Sequence, residues 1–337
     1  MNLRLILLPL AAIYKVVVDV RNYLYDKHIL KSKKFSTPII CVGNITVGGT
    51  GKTPIVDRII RYIGDENVAL VSRGYKRKTH GIVYATSAST AADIGDEPMM
   101  LHKHHKYLTI TIDGNRNAAI KSVIKRKKPR CIIMDDGMQH RSTQAYKYIM
   151  VCDYARPIWK DYLLPAGNLR ESAKGSKRAS IIIINKCPAD LSEEDRDRIT
   201  QKMNIGLSQT ILFSTMVYGD ITDGCCKSEI NPTSNVLAIA GIAQPKPFFD
   251  EVRSKYKIVH TMTFDDHHEY TTDDVLDIKE EMNRLKADVI ITTEKDFVRM
   301  PYIAGVKVYY MPIDIEFLFD GEKIFNKKID TYVTKRN

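Results

Sequence analysis

The chain has 337 residues, 44% of them hydrophobic and 27% charged, a balance that excludes a disordered or fibrous protein. A formal net charge of +11 points to an acidic partner (nucleotide, nucleic acid, anionic lipid or phosphorylated substrate) without choosing among them. The six cysteines are scattered with no C-x-x-C pair, which argues against a zinc site and suits reduced thiols in the cytoplasm.

The N-terminal stretch "MNLRLILLPLAAIYKVVVDVRNYLYDKHILKSKK" carries an apolar run from Leu5 to Tyr14, followed by Lys15, Arg21, Lys27, Lys31, Lys33 and Lys34. The run is too short to span a bilayer, and no clean cleavage site follows it. Apolar residues flanked by cations suit a helix in a membrane interface; a helix capping the core is the plainer alternative.

Beyond it, β-branched runs alternate with helical patterns. Strands are predicted at 38–43, 68–72, 107–111, 131–135, 147–152, 180–185, 211–215, 236–240, 257–262, 288–292 and 307–311. Helices are predicted at about 53–63, 96–105, 115–127, 191–204, 245–254 and 273–286. Continuous apolar strands are buried on both faces. The alternation therefore predicts an α/β, doubly wound, mostly parallel sheet. Gly, Asp, Asn and Pro gather at 216–233, which places a linker or hairpin there. The expected division is an N-terminal helical segment 1–35, a nucleotide-binding domain 36–215, the linker, and a smaller α/β domain 234–330.

"VGNITVGGTGKTP" follows the first strand and opens a helix, the context of a phosphate-binding loop. Backbone N–H groups of Thr46, Val47, Gly48, Gly49, Thr50 and Gly51 would cradle the phosphates. Lys52 would reach the β- and γ-phosphates, and the Thr53 hydroxyl would ligate Mg²⁺. The loop departs from the common pattern, with Thr46 in place of its first glycine. Val47 stands where a class of dimeric ATPases has lysine. Neither "NKCPAD" nor "TTEKD" fits the guanine-reading N-K-x-D, so ATP is favoured.

In "GDEPMML", Asp96 reads by itself as a helix N-cap with Pro98 in the first turn. "CIIMDDGMQH" ends a strand with Asp135 and Asp136, suited to Mg²⁺ or its waters, and leaves Gln139 and His140 nearby. "LLPAGNLRES" supplies Arg170 and Glu171, where an arginine can neutralise transferred charge. "FDDHHEY" can be a metal site, a general-base pair or a polar loop. The basic run Lys121–Arg130 has six cations and no aromatic residue, so base stacking on nucleic acid is unsupported. His102, His104 and His105 lie in a lysine-rich helix, where a metal is not expected.

The ordered set "VGNITVGGTGKTP", "SRGYKRK", "GDEPMML", "DGNR", "DDGMQH", "LLPAGNLRE" and "FDDHHEY" resembles the tetraacyldisaccharide 4′-kinases of lipid A biosynthesis, over most of the chain. The resemblance implies two α/β/α domains joined by a small β linker, with the active site between them. It implies transfer of the γ-phosphate of ATP, with Mg²⁺, to the 4′-hydroxyl of a tetraacylated glucosamine disaccharide 1-phosphate. The enzyme would work at the cytoplasmic face of the inner membrane, with no obligate protein partner. Asp96 would pair with His267 to activate the acceptor hydroxyl, with His268 the alternative one position on. Lys52 and Arg170 join the catalytic set, and Thr53, Asp135, Asp136 and Glu171 the metal set. Tyr75, Glu97, Asn115, Arg116, Gln139 and His140 would meet the substrate. Two other classes stay open on the residues alone: a P-loop ATPase acting as a switch or metal-delivery chaperone, and a basic nucleic-acid-binding ATPase.

Overall fold

A computed structural model describes residues 3–224, 229–231 and 233–334. A 3-10 turn at Leu3–Leu7 leads into α1 (Leu8–Asp26). Then come β1 (Ile39–Gly43), α2 (Lys52–Ile63), β2 (Val68–Ser72), β3 (Val83–Tyr84), α3 (Ala91–Ile94), α4 (Asp96–His104), β4 (Thr109–Ile112), α5 (Arg116–Lys127), β5 (Cys131–Asp135), β6 (Lys147–Asp153), β7 (Ile181–Asn185), α6 (Glu193–Met203) and β8 (Thr210–Tyr218). A second run holds β9 (Asn235–Ala240), α7 (Lys246–Lys255), β10 (Lys257–Thr263), α8 (Thr272–Leu285), β11 (Val289–Thr293), α9 (Glu294–Phe297) and β12 (Lys307–Met311). The chain closes with β13 (Ile313–Phe317) and α10 (Gly321–Thr334).

Among the described residues the larger sheet runs β13-β8-β7-β6-β1-β5-β2-β4-β3 and the smaller β10-β9-β11-β12. Pairing is parallel except where β3 meets β4 and β13 meets β8. Every residue of β1, β2, β5, β7 and β11 is buried, as expected of strands covered by helices on both faces. α2 turns Ile55, Val56, Ile59 and Ile60 onto the sheet, where they join Ile40, Leu70 and Ile133. Truncating one of these fully buried isoleucines to alanine would cost about 2–5 kcal/mol. The helices start at local signals: Asn115 caps α5 by accepting from the Ala118 N–H, and Thr271 and Asp274 form a reciprocal capping box on α8.

The predicted strands are present; strands β3 and β13 and helices α3, α9 and α10 were not predicted. β3 is only Val83–Tyr84. β13 is the more consequential, because it corrects the expected second domain, 234–330. β13 pairs with β8, and α10 sends Phe325, Ile329, Tyr332 and Val333 into the core of the larger sheet. The last segment thus returns to the first unit; its apolar residues fill a face that β8 and α2 leave open. The expected linker, 216–233, lies partly in β8 and partly outside the described residues. Ile221 already packs with Val236 and Phe248 in the second core.

α1 is pinned to the larger unit by polar contacts. The Tyr14 hydroxyl donates to the Arg170 carbonyl at 2.8 Å, and Arg21 donates to the Gln139 carbonyl at 3.0 Å. Arg141 reaches Asp26 at 2.7 Å. Ile6, Leu10, Ile13, Val16, Val17 and Val20 face outward, and Ala11 is the buried residue of the helix. Among the described residues no helix is long and apolar enough to cross a membrane.

Candidate active site

The carboxyl ends of β1, β2, β5, β6 and β7 open onto one edge of the larger sheet, where α/β folds bind ligands. The phosphate loop leaves β1 there. Gly51 adopts φ +84, and a Cβ on it would sit 2.2 Å from Asn185 Nδ2, so position and neighbour both require glycine. The loop is laced from behind. Asn185 donates to the Thr50 carbonyl at 3.0 Å, and Asn44 donates to the Thr50 hydroxyl at 3.1 Å. Lys186 reaches the Gly49 carbonyl at 2.5 Å and Asp153 at 3.1 Å. Val47 donates its N–H to the Asn168 carbonyl at 2.8 Å. The "NK" of "NKCPAD", rejected as a base reader, is therefore a lock on the loop.

Lys52 begins α2 with Thr53 beside it, and its Nζ is 3.5 Å from Asp136 Oδ1. Asp136 stands just past β5 in the left-handed region at φ +48, a local cost of about 1–2 kcal/mol. It also receives Arg170 at 2.9 Å. Lys52 and Arg170 hold its carboxyl below the usual range despite burial. Asp135 is the opposite case. Burial and the neighbouring Glu97 carboxylate raise its pKa, against the pull of Lys52. Its Oδ1 is buried without a hydrogen-bond partner among the described residues. A buried carboxylate with an orphaned oxygen, beside the Lys52-Thr53 turn, fits a divalent cation.

Glu171 departs from expectation. It is 2% exposed, and both its oxygens take Arg178 at 2.8 Å. Gln139 adds a bond at 2.8 Å and Asn22 of α1 one at 3.2 Å. Its lone pairs are spent on this network, so it braces Gln139 and α1 rather than offering an oxygen to a metal. Asn115 is likewise spent on capping α5. Arg116 is buried and folds back onto the Gly114 carbonyl at 3.0 Å. Burial and the guanidiniums of Arg116, Arg21 and Arg73 push the His140 imidazole down to about 4. Arg73 and Arg21 thus belong to a cationic corner that sequence reasoning did not pick out. "SRGYKRK" carries Arg73, but nothing local tells it from the other cations there.

The second unit supplies the other wall. His267, at φ +62 in the turn after β10, places Nδ1 2.7 Å from Asp96 Oδ2 at the start of α4. The exposed Tyr75 ring meets the imidazole edge-on with centroids 5.4 Å apart. His268 points elsewhere: it bonds Asp274 at 3.0 Å and stacks on Phe264. Of the two histidines only His267 reaches Asp96. Glu97, expected at the substrate, pairs across the units with Lys295 at 3.3 Å. Lys295 and Lys52 hold its carboxyl low against the effect of burial. At the far end of α4, His104 joins Asp57 of α2 at 3.1 Å to Glu294 of α9 at 2.5 Å. Burial alone would lower its pKa, but the two carboxylates raise it to about 10.

The model of the tetraacyldisaccharide-1-P 4′-kinase family matches residues 3–334. The chain belongs to that family. The tetraacyldisaccharide 4′-kinase of Porphyromonas gingivalis is 42% identical, over 94% of each chain. That of Flavobacterium johnsoniae is 39% identical, over 98% of this chain and 97% of its own. Among solved structures, LpxK from Aquifex aeolicus in complex with ATP superposes with a TM-score of 0.79 at 25% identity, covering 99% of this chain and all of that one. Membership in the 4′-kinase family supports the lipid kinase over the switch ATPase and the nucleic-acid-binding ATPase.

Proposed function

We propose that this chain transfers the γ-phosphate of ATP to the 4′-hydroxyl of a tetraacylated disaccharide 1-phosphate. The observation that carries the proposal is the 2.7 Å contact between His267 Nδ1 and Asp96 Oδ2, facing a phosphate loop across the cleft. Phosphoryl transfer to an alcohol needs a group that accepts the hydroxyl proton. With Nδ1 donating to Asp96, His267 Nε2 keeps a lone pair for that proton.

The loop N–H groups and Lys52 bind the phosphates, and Arg170 lies close enough to Asp136 to turn toward transferred charge. Thr53 and Asp135 would hold Mg²⁺, with Asp136 fixing Lys52 and Arg170 beside it. When bound, the ion neutralises charge on the phosphate oxygens. The cationic corner of Arg21, Arg73 and Arg116 suits the substrate's 1-phosphate.

The outward apolar stripe of α1 supports work at a lipid surface, where an acylated substrate resides, on the cytoplasmic face of the inner membrane. Ile13 is 63% exposed and Val17 61%, in a helix whose other side is pinned to the active-site loops.

The test is transfer of label from ATP to the tetraacyl disaccharide 1-phosphate in detergent micelles with Mg²⁺. Label should move into the lipid in the wild type and fall steeply in Asp96→Ala and His267→Ala. Hydrolysis without transfer would overturn the proposal.

A further inference from the structure

The segment "TTEKD" and Arg299 behind it form a tightly bonded buried cluster beside the Asp96–His267 pair. Asp296 is 0% exposed. It accepts from the Gly241 N–H at 2.8 Å, the Thr293 hydroxyl at 2.5 Å, the Tyr270 hydroxyl at 3.0 Å and Arg299 Nη2 at 2.6 Å. A carboxylate so fully bonded is a fixed anvil.

The Arg299 guanidinium is held against it. Nε donates to the Lys295 carbonyl at 3.0 Å and Nη2 to the Gly241 carbonyl at 3.0 Å. Nη1 is buried and has no hydrogen-bond partner among the described residues. It lies 3.7 Å from Asp96 Oδ2, the oxygen that receives His267. Burying a guanidinium is costly unless its charge is answered. One face is answered by Asp296, and the remaining nitrogen is aimed at Asp96.

We infer that Arg299, clamped by Asp296, is a positioning residue that holds the Asp96 carboxylate oriented so that His267 takes the acceptor's proton. The inference rests on the kinase reading above. In the step it serves, the acceptor O–H bond breaks and its proton passes to His267 Nε2. The oxygen bonds to the γ-phosphorus, and the bond from that phosphorus to the ADP oxygen breaks. A fixed cation beside Asp96 holds that carboxylate by Coulomb attraction, and removing the charge takes away its repulsion of a proton added to the pair. The other groups facing the pair are Asp266, 3.9 Å from His267 Nε2, with Tyr75, Glu97 and Lys295. Lys295 is paired with Glu97 and also feels Asp96, and Arg299 adds a guanidinium nitrogen 3.7 Å from Asp96 Oδ2.

The test is the pH profile of kcat for lipid phosphorylation in Arg299→Gln and Arg299→Lys, with binding of a non-hydrolysable ATP analogue as the check on folding. Arg299→Gln should lower kcat by about tenfold or more and leave KM for ATP within about twofold. It should also move the acidic limb of the profile up by about one pH unit. Arg299→Lys keeps the charge but not the fork, so it should restore the position of the limb and only part of kcat. An unmoved limb in Arg299→Gln, or a raised KM for ATP with kcat intact, would overturn the role. If Arg299→Gln does not bind the analogue, Arg299→Lys decides: a wild-type limb supports the role and a shifted limb refutes it. Failure of the wild type to label lipid would sink the kinase reading itself, whereas wild-type transfer with an unmoved limb sinks only the positioning role.

Discussion

Lys52 and the loop before it are positioned by a few consecutive residues, with Asn44, Asn185 and Lys186 bracing them from behind. His267, by contrast, reaches Asp96 across 171 residues of sequence. One wall of the cleft is backbone on a rigid sheet edge. The other is a set of side chains from α4, α9 and the turn after β10, joined through charged pairs between the two units. The contrast teaches where the enzyme is stiff and where it can open. A wall of backbone N–H groups is preorganised for phosphate. A wall of ion pairs holds only while the units stay closed and correctly charged.

The largest expected effect lies on the stiff wall. Lys52→Ala removes the cation next to Asp135, Asp136 and Glu97, and transfer should fall by on the order of 10²–10³-fold or more. Analogue binding should weaken with it, measured by calorimetry. Retained tight binding would mean that the backbone suffices.

Across the cleft the pattern should differ. His267→Ala should lower kcat by about 10²–10⁴-fold and leave analogue binding intact. The Asp96→Ala, His267→Ala double variant should be little worse than either single one, because the two act as a unit. Additive losses would separate them.

The charged wall should also be the pH-sensitive one. His104 between Asp57 and Glu294 titrates near 10 in the folded chain against about 6.5 for a free imidazole. A pKa raised on folding means that its contribution is full below about 6.5 and is lost as pH climbs through about 10. The melting temperature should therefore decline between these values, and His104→Gln should flatten that decline in a calorimetric series.

The smallest effect is the most discriminating. His268→Gln, one residue from His267, should change kcat by less than about threefold and stability by about 1 kcal/mol, the worth of its bond to Asp274. A loss comparable to that of His267→Ala would dissolve the distinction between the two histidines.

The chain's own order of residues determined the elements and the phosphate site. Continuous β-branched runs have nowhere to go but between helix layers, and glycines before a lysine at a helix start act within a few residues. The motif set also sufficed for the family. Tertiary structure decided which partner each polar side chain meets. Glu171 and Asn115 looked available and are consumed, one by Arg178 and Gln139, the other by a helix cap. The family motif favours His267 with His268 the alternative, and the left-handed turn at His267 sends the two to different carboxylates. β13 returns to the first sheet although its local pattern would suit either unit. "NK" and "TTEKD" failed as base readers, yet one locks the loop and the other anchors Arg299. The physical reason is common to all of these. A polar side chain has several partners within its chemistry, and the closing of the chain over long separations settles which one it meets.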